Sequence, residues 1–305
     1  MEVKQLTAVN AADGVNVHGN LYQPEGTARA LVLVLHGMAE HKERYKWFIG
    51  KLTDHGYAVL STDERGHGES AEVKGYFGKQ DGWLRNVEDQ HELVRQAQDI
   101  VGHLPLIVFG HSMGTLVARS YLKRYEDEIT AVALSGTPNN NKAVGTAITL
   151  CKIIKAVHGP HYRSSLLNAL CFGAFNKRIA DPRTDYDWLS YDEANVDRYI
   201  ADPDCGYIFT VQGFQDMFEG MKDVYRPDGW QVEKPQLPIA FFSGSEDPCM
   251  GSLDGLKEAV DILNRQGYQQ VSWKTYDGCR HEILNDVKKE QVAADIIAFM
   301  DQALG

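Results

Sequence analysis

The sequence predicts an α/β fold: a mostly parallel central sheet with helices on both faces and an inserted, mainly helical cap. Three features predict it. Continuously apolar runs such as Ala30–Leu35 (ALVLVL) fit strands covered on both faces. Segments of helical period alternate with these runs, as in a layered α/β domain. At residues 106–125 an apolar run, a glycine-flanked turn and a helix-like stretch follow one another directly, with Gly110-His111-Ser112-Met113-Gly114 at the turn.

Element by element, residues 2–10 and 15–23 read as two short strands joined at the Asp13-Gly14 turn. The 30–35 strand is followed by a helix over 42–55 and a strand over 57–61 (YAVLS). Residues 83–101 read as helix, 106–109 (LIVF) as strand, 115–126 as helix and 130–135 (TAVALS) as strand. The alternation breaks after Pro138. Apolar helix-like pieces (AITLCKIIKAV, SSLLNALCFGAF) then precede a polar, aromatic, Asp/Pro-rich run ending near Tyr207. It resumes with strand 238–243 (PIAFFS), helix 252–266, strand 271–276 (VSWKTY) and helix 286–303. The expected organisation is a core of residues 1–139 and 236–305 with residues 140–235 inserted as a cap. The cap's apolar pieces serve as its own core, line an acyl-sized pocket, or do both.

A chain of 305 residues can bury a substantial core. Its formal net charge of −11, without a basic patch, argues against nucleic-acid binding. No stretch approaches the roughly eighteen apolar residues of a membrane span, and MEVKQLTAVNAADG lacks the basic and apolar regions of a signal peptide. The five cysteines (151, 171, 205, 249 and 279) are scattered without metal-like spacing, which fits reduced thiols and a cytoplasmic location. No GxGxxG, P-loop or HExxH motif is present, so neither cofactor nor metal is expected.

The turn at Ser112 carries the chemistry. Small residues two places either side allow a strained backbone that lifts the serine hydroxyl above the sheet at a helix N-terminus. A serine needs a base to take its proton, and a histidine base needs an acid to fix its tautomer. Asp247, just past the 238–243 strand, is the candidate acid, with adjacent Glu246 its rival; His281, just past the 271–276 strand, is the candidate base. Both follow carboxyl ends of strands, where open α/β sheets hold their ligands. The backbone amides of Met113 and of Met38 are the candidate oxyanion donors, and losing one would cost about 3 kcal/mol of transition-state stabilisation. His36 and His111 read as scaffold histidines tying loops together. Ser70, outside a Gly-x-Ser-x-Gly context, and the Cys249/Cys279 pair are weak rival nucleophiles.

Taken in order, HGMAEH (36–41), DERGHGES (63–70), GHSMG (110–114), SEDP (245–248) and DGCRHEILND (277–286) resemble the motifs of α/β hydrolases. Within them the chain is most similar to the monoacylglycerol lipase/lysophospholipase-like group catalogued with serine aminopeptidases of the S33 type. The resemblance implies a triad of Ser112, Asp247 and His281, oxyanion amides at Met38 and Met113, and a pocket-covering cap over 140–235. It implies hydrolysis of carboxylic esters, notably monoacylglycerols and lysophospholipids, through an acyl-enzyme. Met38 stands where that group often has a small residue, which narrows the acyl pocket. The expected partner is a small-molecule ester bearing an acyl chain. A proline-iminopeptidase-like aminopeptidase would need an acidic recess, which Asp181, Asp185, Asp187, Asp192 and Glu193 can supply. The different-class alternative is a non-catalytic binding module on the same scaffold.

Overall fold

The computed structural model describes residues 2–305. Eight strands form one sheet: β1 (Glu2–Val9), β2 (Asn16–Gln23), β3 (Ala30–Leu35), β4 (Tyr57–Thr62), β5 (Leu106–His111), β6 (Ile129–Ser135), β7 (Ile239–Gly244) and β8 (Val271–Tyr276). Their order is β1-β2-β4-β3-β5-β6-β7-β8, with β1/β2 and β2/β4 antiparallel and the rest parallel. The antiparallel start follows from the short turn at Gly14, whose φ of 72° suits glycine. Parallel neighbours need crossovers, supplied by α1 (Lys46–Asp54), α2 (Gly82–Val101), α3 (Met113–Tyr125), α8 (Leu253–Gln266) and the longer segment between β6 and β7; α9 (Lys289–Leu304) follows the last strand.

The apolar runs of β3, β5 and β7 are explained by two separate cores. Alternate residues face opposite sides of a sheet. Leu31, Leu33, Val108 and Phe241 join a core with α2, α3 and α8. Val32, Val34, Phe109 and Phe242 join the other with α1 and α9. Both positions of each pair are apolar because both are buried.

Between β6 and β7 lie α4 (Val144–His158), α5 (Ser165–Phe172), α6 (Glu193–Ala201) and α7 (Val211–Tyr225). The first two lie where the helix-like sequence pieces are. The other two have no counterpart among the sequence expectations. Helix α6 begins inside the polar run because the Asp192 carboxylate accepts hydrogen bonds from the amides of Ala194 (3.0 Å) and Asn195 (3.3 Å). Helix α7 carries Gly213 and Gly220, which lower its propensity. Packing accounts for both: a Cβ on Gly220 would lie 2.1 Å from the Trp83 indole, and one on Gly213 would lie 2.0 Å from the Gly75 carbonyl. Phe214, Phe218 and Val224 of α7 belong to the same apolar cluster as α2 and α3. A smaller cluster of Trp188, Leu189 and Tyr199 packs with Phe172 and Phe175 above it. Among the described residues, no helix is long and apolar enough to cross a membrane.

Candidate active site

Strand β5 ends at His111 and α3 begins at Met113, leaving Ser112 alone at the turn with φ 53° and ψ −118°. A non-glycine residue rarely adopts this conformation. The surroundings enforce it: the Ser112 amide donates to Ser135 O at 2.8 Å and Ser112 O accepts from the Thr115 amide at 2.9 Å. A Cβ on Gly110 would sit 2.3 Å from Gly114 O, and one on Gly114 would sit 2.4 Å from Leu35 O. Close backbone approach therefore accounts for both glycines of the motif.

Asp247 and His281 converge from loops after β7 and β8. The His281 Nδ1 lies 3.0 Å from each carboxylate oxygen of Asp247. Both side chains are buried. Asp247 is itself fixed by the Cys249 amide at 2.8 Å. Burial pulls the His281 pKa down, but the charge and hydrogen bond of Asp247, with Glu282 and Glu40 behind it, raise it above its ordinary value. Glu246 is exposed and accepts a hydrogen bond from the Tyr191 hydroxyl instead. Ser112 and His281 line one cavity. The Cys249 thiol lines the same cavity as Ser112. Burial and the Asp247 charge push that thiol well above its usual pKa, so Cys249 is held neutral.

Ser70 donates to Asp63 O (3.0 Å) and accepts from the His18 amide (2.8 Å), a buried turn contact. Cys279 is buried, and burial pushes its thiol to about 11.

The 36–40 loop is pinned on either side of Met38. The Gly37 amide donates to Glu40 Oε1 at 2.6 Å and the Ala39 amide to His67 Nε2 at 3.3 Å. His36 donates from Nδ1 to Gly37 O (2.7 Å) and accepts at Nε2 from the Glu64 amide (3.0 Å). The amides of Met38 and Met113 have no acceptor among the described residues. Met113 opens α3, whose first amides lack intrahelical partners. His111 lies beside His281, ring centroids 4.8 Å apart, and burial together with the His281 charge holds it down at about 4.

Sequence reasoning missed a buried charge cluster behind His281. Arg44 makes a bidentate pair with Glu282 (2.7 and 2.8 Å) and a third contact to Glu40 at 2.6 Å. Asn195 of α6 donates to Glu282 at 2.7 Å, joining the inserted segment to the residue next to His281. Burial pushes Glu40 up, but Arg44 and the neighbouring histidines hold it at about 2. The i,i+4 spacing of Glu40 and Arg44 was the available signal; nothing in the sequence marked either as buried.

Two cavities meet at Ser112. One, of about 410 Å³, is lined chiefly by apolar side chains, including Met113, Leu150, Leu167, Phe175, Phe218 and Met221. The other, of about 480 Å³, carries His281 with Asn168, Asn176, Asp185, Tyr186 and Tyr207. Met38, Ser112, Phe172 and Cys249 border both. Of the five acidic residues proposed for an ammonium recess, only Asp185 lines either cavity. Asp187 is spent on the Arg183 and Thr184 amides, and Asp192 on the start of α6.

Residues 26–288 match the family model described as serine aminopeptidase, S33. The chain belongs to the S33 serine aminopeptidase family. Among relatives of this S33 protein, human monoglyceride lipase is 32% identical over 285 residues, covering 88% of this chain and 81% of that protein. The monoacylglycerol lipase of Mycolicibacterium smegmatis is 27% identical, covering 94% and 93%. The crystal structure of a thermostable carboxyl esterase from Bacillus coagulans in complex with glycerol covers both chains fully, with TM-score 0.89 and 26% identity. The S33 chain is thus an enzyme, a serine hydrolase of the α/β-hydrolase type.

Proposed function

We propose that this S33 hydrolase cleaves carboxylic esters of the monoacylglycerol type through an acyl-enzyme on Ser112. The observation that carries the reading is the meeting of a strongly apolar cavity and a more polar one at one strained serine. The acyl chain occupies the apolar cavity, and the alcohol occupies the cavity beside His281. Residues 140–235 form the cap over both, with α7 as its seat on the core.

In the first step, the Ser112 hydroxyl gives its proton to Nε2 of His281 as its oxygen attacks the ester carbonyl. Asp247 holds Nδ1 and stabilises the imidazolium. The amides of Met38 and Met113 receive the oxyanion. His281 then protonates the departing alcohol, and water resolves the acyl-enzyme by the same relay.

The leaving-group cavity favours a neutral polyol. No lysine or arginine lines it among the described residues, so the phosphate of a lysophospholipid lacks a counter-charge there. Exposed Ile153, Val157, Leu166 and Leu170 on α4 and α5 place apolar side chains on the surface of the cap, which suits substrates drawn from a lipid interface. The test is a panel of monoacylglycerols of increasing chain length, lysophospholipids and amino-acyl amides, run on wild type and Ser112→Ala. The expected order is medium- and long-chain monoacylglycerols first. Activity confined to acetyl esters, or to amino-acyl amides, would overturn the reading.

A further inference from the structure

Away from the Ser112 turn, the core loop and the inserted segment bring three metal-binding side chains together. His41 closes the HGMAEH motif. Asp202 and Cys205 lie in the turn after α6, closed by the Cys205 amide donating to Asp202 O at 3.0 Å and the Asp204 amide donating to Asp202 Oδ1 at 2.8 Å. The His41 Nε2 is 2.9 Å from Asp202 Oδ2. The imidazole, carboxylate and thiol donor atoms all lie within 4.8 Å of one another.

We propose that His41, Asp202 and Cys205 bind Zn²⁺, or a divalent ion of similar softness, and thereby clip the cap to the loop that carries Met38. Nitrogen, carboxylate and thiolate are the ligand types zinc takes, in tetrahedral geometry at about 2.0–2.3 Å. That geometry spaces donors about 3.3–3.8 Å apart, so the His41–Asp202 contact opens only slightly to admit the ion. The Cys205 thiol proton passes to solvent as the zinc–sulfur bond forms, without any change of oxidation state. The side chains of His41 and Asp202 are 14% and 31% exposed, which leaves an entry path and a fourth position for water. Of the nearby cations, Arg44 is already shared between Glu40 and Glu282, and Lys74 is paired with Asp204. With Asp202 added, this group is net negative and favours a cation.

The ion would reinforce a joint that already exists. Ala39 O accepts from the Gly206 amide at 2.9 Å and from the Tyr199 hydroxyl at 3.1 Å, so the same two segments already touch. The site stands independently of which residue is the nucleophile. One other trio, Asp247, Cys249 and His281, has equally close donor atoms, and the test must separate the two.

The experiment titrates the full chain with Zn²⁺ and, separately, with Co²⁺ as a spectroscopic probe, using wild type, Cys205→Ser, His41→Gln and Cys249→Ser. The expected result is one ion per chain at micromolar concentration, a thiolate-to-cobalt absorption band and a Zn²⁺-dependent rise in melting temperature. Cys205→Ser and His41→Gln should each weaken binding about tenfold or more, and Cys205→Ser should remove the band. Cys249→Ser should leave both intact. No binding in wild type, or binding that survives Cys205→Ser and disappears in Cys249→Ser, would overturn the proposal.

Discussion

Asp247 grips one ring nitrogen of His281 with both carboxylate oxygens, each 3.0 Å from Nδ1. The grip fixes the tautomer and leaves Nε2 as the nitrogen available for proton transfer. Asp247→Asn keeps the shape but not the charge, and is expected to lower kcat/KM by about 10³–10⁴-fold with the fold retained. Glu246→Gln, on the exposed side of the same loop, should change it by less than about threefold. Ester hydrolysis by both variants checks this; the reverse ranking would move the acid's role to Glu246.

With His281 as the proposed general base, its raised pKa predicts the pH dependence. A general base works only when neutral, so kcat/KM should fall as pH drops, with an inflection above the ordinary histidine value of about 6.5. Glu282→Gln removes one of the charges that raise it and should move the inflection down. Stability runs the other way. The charged His281–Asp247 pair contributes fully below about 6.5, and that contribution is lost as pH rises through the folded-state value. A pH–rate profile of wild type and Glu282→Gln tests the first part, and urea unfolding across the same range tests the second.

Backbone strain at Ser112 has a measurable counterpart. Glycine adopts φ 53° and ψ −118° without the strain that serine and alanine incur, so Ser112→Gly should be more stable than Ser112→Ala by about 1 kcal/mol. Both should be inactive. Gly114→Ala would set a Cβ 2.4 Å from Leu35 O and should lose about 2 kcal/mol or more. Denaturant melts of the three variants decide it, and equal stability of the Ser112 pair would show that the turn is unstrained.

Arg44 lies between two buried carboxylates with its side chain 9% exposed, and among the described residues no other cation pairs with Glu282. Arg44→Met strands both acids away from water and should destabilise the protein by about 3–5 kcal/mol. A triple variant that also carries Glu40→Gln and Glu282→Gln should recover part of that loss in thermal or urea melts.

The strands were legible because burial on both faces writes an uninterrupted apolar run, as in ALVLVL. Strand β5 extends past that signal to His111, since its last residues are chosen for the turn rather than for the core. The turn motif and the places after strands were enough to nominate Ser112, Asp247 and His281, and the fold brings Asp247 against His281 and sets Ser112 and His281 on one cavity. Helix α7 was not, because two glycines mask it and only the Trp83 and Gly75 contacts explain them. The Glu40–Arg44–Glu282 cluster was hidden for a different reason: charge in a sequence carries no mark of burial, and the partners are 238 positions apart. The close approach of His41 to Cys205 depends on how the inserted segment folds back, which no local pattern encodes.

The most direct test of the central claim is covalent trapping of the nucleophile. Wild-type protein treated with a fluorophosphonate and mapped by peptide mass spectrometry should carry a single adduct, on Ser112, with ester hydrolysis lost in proportion to labelling. An adduct on another residue, or full hydrolysis by protein completely modified at Ser112, would contradict the account.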